Sequence, residues 1–427
     1  MPLPLDRSST PEQIRAEVSA WVEARVPAAW RAAAAGGRSA IRKVRPRADY
    51  EAWYPTFAGS GLVVPTWPVA YGGLDLTPAQ ARVVEEVIAP YNLGRLNPLG
   101  LNNAAAPLFA FGTEEQRLRY LPRIVDNTER WCQLFSEPGA GSDLASLAMR
   151  AERDGDEWIL NGQKVWTTWA HDSQFGVCLA RTDPNVPKRE GITFFLVDMR
   201  ARGVTVRELR HIGGEVEFNE VWLDDVRVPD SDRVGAVGDG WRVGNATLAG
   251  ERQMVAGAGS GGVGRIGGSS AERLIATARQ GGQWDDALVR QRLVGLYSQE
   301  KIRQWTNDRV RATVKAGGTP GPAASIGKVH QGKLNQQMQA AAADLLGAGA
   351  LAWEITANAH DPARSIHPAE AWAADLPFAV EGMLRSVGNT IEGGTTEVNK
   401  NILGERVLGL PREPDPYHGK PWNETPH

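Results

Sequence analysis

Cysteine is nearly absent from this 427-residue chain, which has two, Cys132 and Cys178. Both lie in apolar, strand-like runs, where a thiol behaves as a small buried hydrophobe rather than a reactive group. That usage fits a reducing cytoplasm. Net charge is scarce too: 47 Lys and Arg against 50 Asp and Glu leave a formal charge of −3. Such a balance gives no electrostatic case for nucleic acid or an anionic membrane and points to a small molecule or another protein as partner. Long apolar runs are also missing. Residues 1–10 lack the core of a signal peptide, and no stretch reaches the roughly 20 apolar residues of a membrane span. A cytosolic protein without membrane insertion is expected, and no metal site is assigned.

What the chain does have is enough length for two or three domains with sizeable cores and two changes of texture. From Pro11 the pattern is helical, with Ile14, Val18, Trp21 and Val22 on one face. A further helix is predicted around Thr77–Ile88, and Thr113 with Gln116 forms a capping box. From Trp131 short strands take over, at 176–180, 192–197, 204–206 and 218–228, the last shifting phase at Asp224-Asp225. After Trp241 the helical period returns in two stripes, Val289/Leu293/Leu296/Tyr297 and Met338/Ala341/Ala342/Leu345, with Val398 and Ile402 paired in the last helix. The reading is an α+β multidomain chain: a helical domain at 1–130, a β domain at 131–234, a helical bundle at 235–412 and a tail at 413–427.

The chemistry gathers at 131–168. The run Trp131-Cys132-Gln133-Leu134-Phe135 is an apolar strand that breaks into Ser136-Glu137-Pro138-Gly139-Ala140-Gly141-Ser142-Asp143, a loop whose backbone N–H groups form a concavity fit for a diphosphate. Asn161-Gly162, between Trp158-Ile159-Leu160 and Val165-Trp166, predicts a type I′ hairpin. Trp166 and Thr168 then share one face of the returning strand, where a planar heterocycle would stack on the indole while the hydroxyl bonds its edge. Two other motifs are decoys. Gly257-x-Gly259-x-x-Gly262 has no strand before it and lies in a glycine-rich linker from Gly257 to Ser270. Ser325-x-x-Lys328 lacks the companions of a penicillin-binding enzyme, and Ser325 reads better as a helix cap.

Five stretches in order resemble the acyl-CoA dehydrogenase family over about residues 11–412: Phe111-Gly112-Thr113-Glu114-Glu115-Gln116, the 136–143 loop, Asn161-Gly162-Gln163-Lys164-Val165-Trp166-Thr167-Thr168, Leu223-Asp224-Asp225-Val226-Arg227-Val228-Pro229, and Asn401-Ile402-Leu403-Gly404-Glu405-Arg406. The resemblance implies a middle antiparallel β-barrel between the helical domains, FAD as cofactor, an acyl-CoA thioester as substrate and an electron-transfer flavoprotein as acceptor. It implies cofactor contacts from Gln133, Leu134, Ser136, Gly141, Ser142, Trp166, Thr168, Arg279, Thr395 and Glu397. Ser142, Arg252 and Gly394 are then expected at the acyl-CoA. The motif style resembles bacterial members that act on sterol side chains or branched acyl groups.

Family chemistry takes the α proton with a carboxylate and passes the β hydride to flavin N5. The usual carboxylate stands just before Gly-Thr in the loop entering the last helix, yet here Gly393 precedes Gly394-Thr395. A branch resembling isovaleryl-CoA dehydrogenase instead puts Glu before Arg on the bundle's first long helix, as in Glu251-Arg252. Glu251 is the expected base and Glu392 the reserve. The backbone N–H of Gly393 remains a donor for the thioester oxygen. Two alternatives stand beside this reading: a non-catalytic partner subunit of a heteromeric enzyme, and a flavin monooxygenase on the same fold. The family builds tetramers in which a neighbour's bundle completes the flavin site with an Arg followed by Phe-Gly and a later Gln-x-x-Gly-Gly. Here those stretches read Arg279-Gln280-Gly281-Gly282-Gln283-Trp284 and Asp344-Leu345-Leu346-Gly347-Ala348. An aspartate near a pyrophosphate is repulsive, so a heterotetramer with a homologous subunit is expected about as strongly as a homotetramer.

Overall fold

The computed structural model describes residues 1–213, 216–255, 270–318, 321–351 and 378–426. The helical start follows its sequence signals. Thr10 and Gln13 close a capping box on helix Pro11–Arg25, which buries Ile14, Val18 and Val22. Each such burial is worth roughly 1.5–3 kcal/mol. Thr77 and Thr113 cap Pro78–Ile88 and Glu114–Val125 in the same way. The Gln116 of the third box does more: its amide donates to the carbonyls of Ser231 at 2.7 Å and Arg233 at 2.9 Å, fastening the helices to the sheet.

Among the described residues eight strands follow: β1 Trp131–Leu134, β2 Arg150–Asp154, β3 Glu157–Thr168, β4 Phe175–Arg181, β5 Ile192–Asp198, β6 Val204–Leu209, β7 Phe218–Pro229 and β8 Arg233–Val234. They form one mixed sheet in the order β6-β7-β3-β2-β4-β5-β8, with β1 on the side of β4. The expected antiparallel barrel is therefore corrected in two respects. The sheet stays open, and β1 and β2 both pair with β4 in parallel. The near-continuous burial of β1 and β4 is the signature of strands covered on both faces, which the alternation of β7 hid.

The Asn161-Gly162 hairpin is corrected as well. Residues 157–168 are a single strand, and its true hairpin partner is β2, with Asp154 paired to Glu157 across Gly155-Asp156. Asn161-Gly162 lies opposite a bulge in β7 instead, where Asp224-Asp225 face the single Asn161 between the pairs Leu160–Val226 and Gly162–Leu223. Gly162 sits at φ 150°, where a Cβ would stand 3.0 Å from the Met149 Cα, so glycine is required by close approach. Asn161 exchanges two hydrogen bonds with Asp225, which is itself at φ 51°, and this is the phase shift read at Asp224-Asp225. A dipeptide that tolerates unusual backbone serves a bulge as readily as a turn.

The bundle comprises Gly240–Val255, Ala271–Gln280, Ala287–Lys315, Ala324–Leu345, Phe378–Ser386 and Thr396–Arg406. Leu274, Leu293, Leu296, Leu334, Met338 and Ala341 make its core, while Tyr297 lies at the edge of its stripe, 36% exposed. The Gly257–Gly262 decoy lies outside the described residues; Ser270, at the end of that stretch, caps helix 271–280. Ser325 is not a cap. It lies buried within helix 324–345, whose N-cap is Ala323, since the chain already turns there with Ser325 N–H bonded to Pro322 O at 3.0 Å. The tail returns to the sheet: Trp422 donates from its indole to Ser146 O and stacks on the Arg181 guanidinium at 4.5 Å. Among the described residues no helix is long and apolar enough to cross a membrane.

Candidate active site

The site is built where the 136–143 loop meets β3. Pro138-Gly139 forms a tight turn closed by two backbone bonds of 3.0 Å between Glu137 and Ala140, which leaves the N–H groups of Gly141 and Ser142 outside it and exposed. Beneath the turn lies an ion pair that composition does not foreshadow. Lys164 is fully buried and its ammonium donates to Glu137 at 2.8 Å, Leu179 O at 2.7 Å and Phe135 O at 3.1 Å. Glu137 in turn accepts from the backbone N–H of Ala148 and Met149. Every ammonium proton has an acceptor, the condition under which a buried charge is tolerated. The pair ties the loop to the strand, and Val165 N–H to Ser136 O at 2.9 Å adds a second tie.

One turn of the chain further on, an extra residue in β3 between Lys164 and Thr167 makes a second bulge. It forces Trp166 to φ 59°, a left-handed conformation rare for a bulky side chain, and leaves its indole 57% exposed. The ring is not loose. Phe218 meets it edge-on at 5.8 Å, and Thr168, half-buried at the strand end, pairs with Phe218 in register. Asn219 fills the bulge, donating to Thr167 O at 3.0 Å and meeting His171 Nδ1 at 3.0 Å. A large aromatic face held outward at a strained position marks a place prepared for a planar ligand.

The other side is the loop before the last helix. Thr395 caps that helix through Val398 N–H, while Gly393 and Gly394 take φ 62° and 92°. Glu392 is engaged rather than free: Arg385 donates to it at 2.9 Å and Asn389 at 2.5 Å. Burial raises its pKa, but Arg385, Asn389 and Lys328 together outweigh that and hold it below the ordinary carboxylate range. Arg385 also grips Glu217 at 2.9 Å, next to Phe218.

Other sequence-predicted residues are placed as follows. Gln133 is half-buried and accepts from Asn103 at 2.6 Å, whereas the Leu134 side chain is fully buried, so only its backbone is on offer. Ser136 is half-buried and Ser142 exposed. Glu251 and Arg252 fall on the last turns of helix Gly240–Val255, and their side chains lie outside the described residues. Glu397 is exposed near Lys400. Arg279 stands apart on the bundle, stacked 4.9 Å over Trp284, and Asp344 is paired with Arg292 at 2.5 Å. Sequence reasoning missed Lys164, Glu137, Glu217, Arg385 and Asn389. Only Lys164 carried a signal, as a charge at an inward position of an alternating strand.

Comparison with known proteins matches three successive parts of the chain to one family. Residues 8–128 match the acyl-CoA dehydrogenase N-terminal domain, 132–226 the middle domain and 238–408 the C-terminal domain. The chain belongs to the acyl-CoA dehydrogenase family. It is 35% identical to acyl-CoA dehydrogenase IpdE1 of Mycobacterium tuberculosis over 94% of its own length and 98% of that protein. It is 37% identical to FadE34 of the same organism over 83% of its length, though it spans only 45% of that protein. Among solved structures, the Tcur3481-Tcur3483 steroid ACAD is similar at 28% identity and a TM-score of 0.69, covering 96% of this chain and 100% of that one. The ChsE4-ChsE5 complex of Mycobacterium tuberculosis is similar at 26% identity and a TM-score of 0.66, covering 96% and 100%. The family is one of FAD-dependent oxidoreductases of lipid and steroid β-oxidation. The residues present fit that cofactor in kind: an exposed indole on Trp166, hydroxyls on Ser136, Ser142 and Thr168, and a turn at 137–140 tied to the Trp166 strand through Val165 N–H to Ser136 O.

Proposed function

We propose that this chain catalyses α,β-dehydrogenation of an acyl-CoA, with Glu251 as the base that removes the α proton. The observation that carries the reading is the outward Trp166 on the strand tied to the 136–142 loop, linked through Phe218 and Arg385 to a loop with glycines in place of the usual carboxylate. Bound FAD supplies the acceptor for the β hydride. Trp166 and Thr168 orient the flavin, Gln133, Leu134 backbone, Ser136, Gly141 and Ser142 bind along it, and Ser142, Arg252 and Gly394 bind acyl-CoA. Gly393 N–H steadies the charge that grows on the thioester oxygen, an effect worth roughly 3 kcal/mol for a well-aimed donor. Glu392 is a poor base because its carboxylate is held by Arg385 and Asn389, which is the reason to prefer Glu251. Solved structures titled as steroid ACADs support a bulky or branched acyl group, and the acceptor proposed is an electron-transfer flavoprotein in the cytoplasm. The parts are a helical domain to about residue 130, a sheet domain to about 234 and a bundle to about 412.

Anaerobic mixing with a panel of acyl-CoAs, steroid side-chain thioesters included, is the test. Bleaching of oxidised flavin is expected; a protein that takes up FAD and is bleached by none of them, or that requires NADH and oxygen, refutes the reading. For assembly, exposed Val294, Ile302 and Trp305 on helix 287–315 fit burial against another subunit. Arg292 neutralises Asp344 and so lifts the repulsion expected near a pyrophosphate, which favours a homotetramer in which Arg279 and, on the receiving chain, Thr395 and Glu397 meet the cofactor. The second reading, a heterotetramer, is favoured by the two-protein ChsE4-ChsE5 neighbour. Native mass with flavin counting decides: one FAD per chain in a four-chain particle sinks the heteromer.

A further inference from the structure

Gly393 and Gly394 are consecutive residues at positive φ, 62° and 92°, in the loop whose N–H the dehydrogenase reading sets against the substrate. Two such residues give the chain wide freedom, so an aimed donor there needs clamping from outside. Arg385 bridges that loop to the sheet. Its Nε donates to Glu217 at 2.9 Å and its Nη2 to Glu392 at 2.9 Å, with Nη2 also 3.4 Å from Glu217. The guanidinium lies 5.6 Å over Phe218, whose ring meets Trp166. All three charged side chains are mostly buried, 18%, 16% and 28% exposed for Arg385, Glu217 and Glu392.

The surroundings are shaped for this bridge. A Cβ on Gly388 would stand 2.9 Å from Arg385 Nη1, so glycine leaves the room the guanidinium occupies. Asn389 holds the second oxygen of Glu392 and is itself held by Lys328 at 2.6 Å and Asn335 at 2.6 Å. Glu217 O accepts Trp169 N–H at 3.0 Å, one residue past Thr168. A planar fork that engages two carboxylates fixes a direction as well as a distance, which a lysine does not.

We propose that Arg385, held between Glu217 of the sheet and Glu392 of the bundle, is the positioning residue that sets the Gly393 N–H against the reacting thioester. The proposal rests on the dehydrogenase reading above. Glu392 is then an anchor of the loop and not a proton acceptor. A donor displaced by about 1 Å costs up to about a hundredfold in rate.

Arg385→Gln, Arg385→Lys and Glu217→Gln test it in the FAD-loaded full chain. Each is expected to keep its flavin and its reduction by dithionite while kcat for bleaching by the wild type's best acyl-CoA falls tenfold or more, with KM changed much less. Hydrogen exchange is expected to quicken in residues 387–396 and not in the 136–142 loop. With acetoacetyl-CoA as probe, the pH at which its enolate forms on the enzyme rises in all three variants, because the oxygen that carries the charge has lost its aimed donor. Wild-type kcat, unchanged exchange and an unmoved enolate midpoint in Arg385→Gln and Glu217→Gln overturn the proposal. So does full restoration by Arg385→Lys, since charge alone would then suffice. A wild type bleached by no acyl-CoA refutes the dehydrogenase reading instead, whereas the exchange result still judges the clamp.

Discussion

Replacing Lys164 by Met removes the ammonium and keeps most of the side-chain volume. Three acceptors lose their donor at once: a Glu137 oxygen at 2.8 Å, Leu179 O at 2.7 Å and Phe135 O at 3.1 Å. Glu137, 8% exposed, keeps the Ala148 and Met149 N–H groups but loses its hydrogen-bonded cation, with Arg181 left only at longer electrostatic range. Breaking a buried pair by removing one partner costs about 3–5 kcal/mol, because the remaining charge is stranded. For the 427-residue chain unfolding as one unit that corresponds to a fall in melting temperature of roughly 3–6 °C. Since the pair joins the 136–143 loop to the strand bearing Trp166, FAD retention on gel filtration should fall with stability. Differential scanning calorimetry with and without added FAD measures both. A Lys164→Met protein melting within about 1 °C of wild type and keeping its flavin would refute the argument, for it would mean that the pair contributes nothing net.

Glu251→Gln should keep its flavin while reduction by acyl-CoA slows by roughly a hundredfold or more in stopped flow, and undiminished bleaching would move the base elsewhere. Trp166→Ala should lower FAD affinity by about tenfold, read by fluorescence titration, with little change in apo melting because the ring is mostly exposed. Hydrogen bonds from Arg233 and then Trp158 lower the Asp230 pKa to about 2 from its ordinary 3.8. Its stabilisation is therefore complete above the ordinary value and lost as pH falls toward about 2, so Asp230→Asn should flatten the urea midpoint between about pH 4 and 2.

The elements were legible where one period governs burial. Ile14, Val18 and Val22 repeat at helical spacing and Val221, Leu223, Val226 and Val228 at strand spacing, and all are buried. The capping box at Thr113 is local chemistry and was read from the sequence, while the same pattern at Thr10 and Thr77 went unread. The sheet's openness was not, since pairing depends on which strand lies beside β4 and not on any strand's own pattern. Half of the candidate site was open to proposal from sequence because its loop and its aromatic strand are each contiguous. The clamp was not, because Arg385 reaches Glu217 across 168 residues and neither residue departs from an ordinary surface charge in sequence.

The two cysteines have a practical consequence for the question of assembly. Both thiols are buried, and desolvation pushes Cys132 up to about 12 and Cys178 up to about 11. At neutral pH fewer than about one in a thousand of either would be thiolate, the form that alkylating reagents attack. The folded chain thus offers maleimide chemistry a blank exterior. A single cysteine introduced at Leu288, 81% exposed on the bundle's longest helix, would be its sole reactive handle. Fluorophore or spin-label pairs placed there would report distances between subunits without any native residue first being removed.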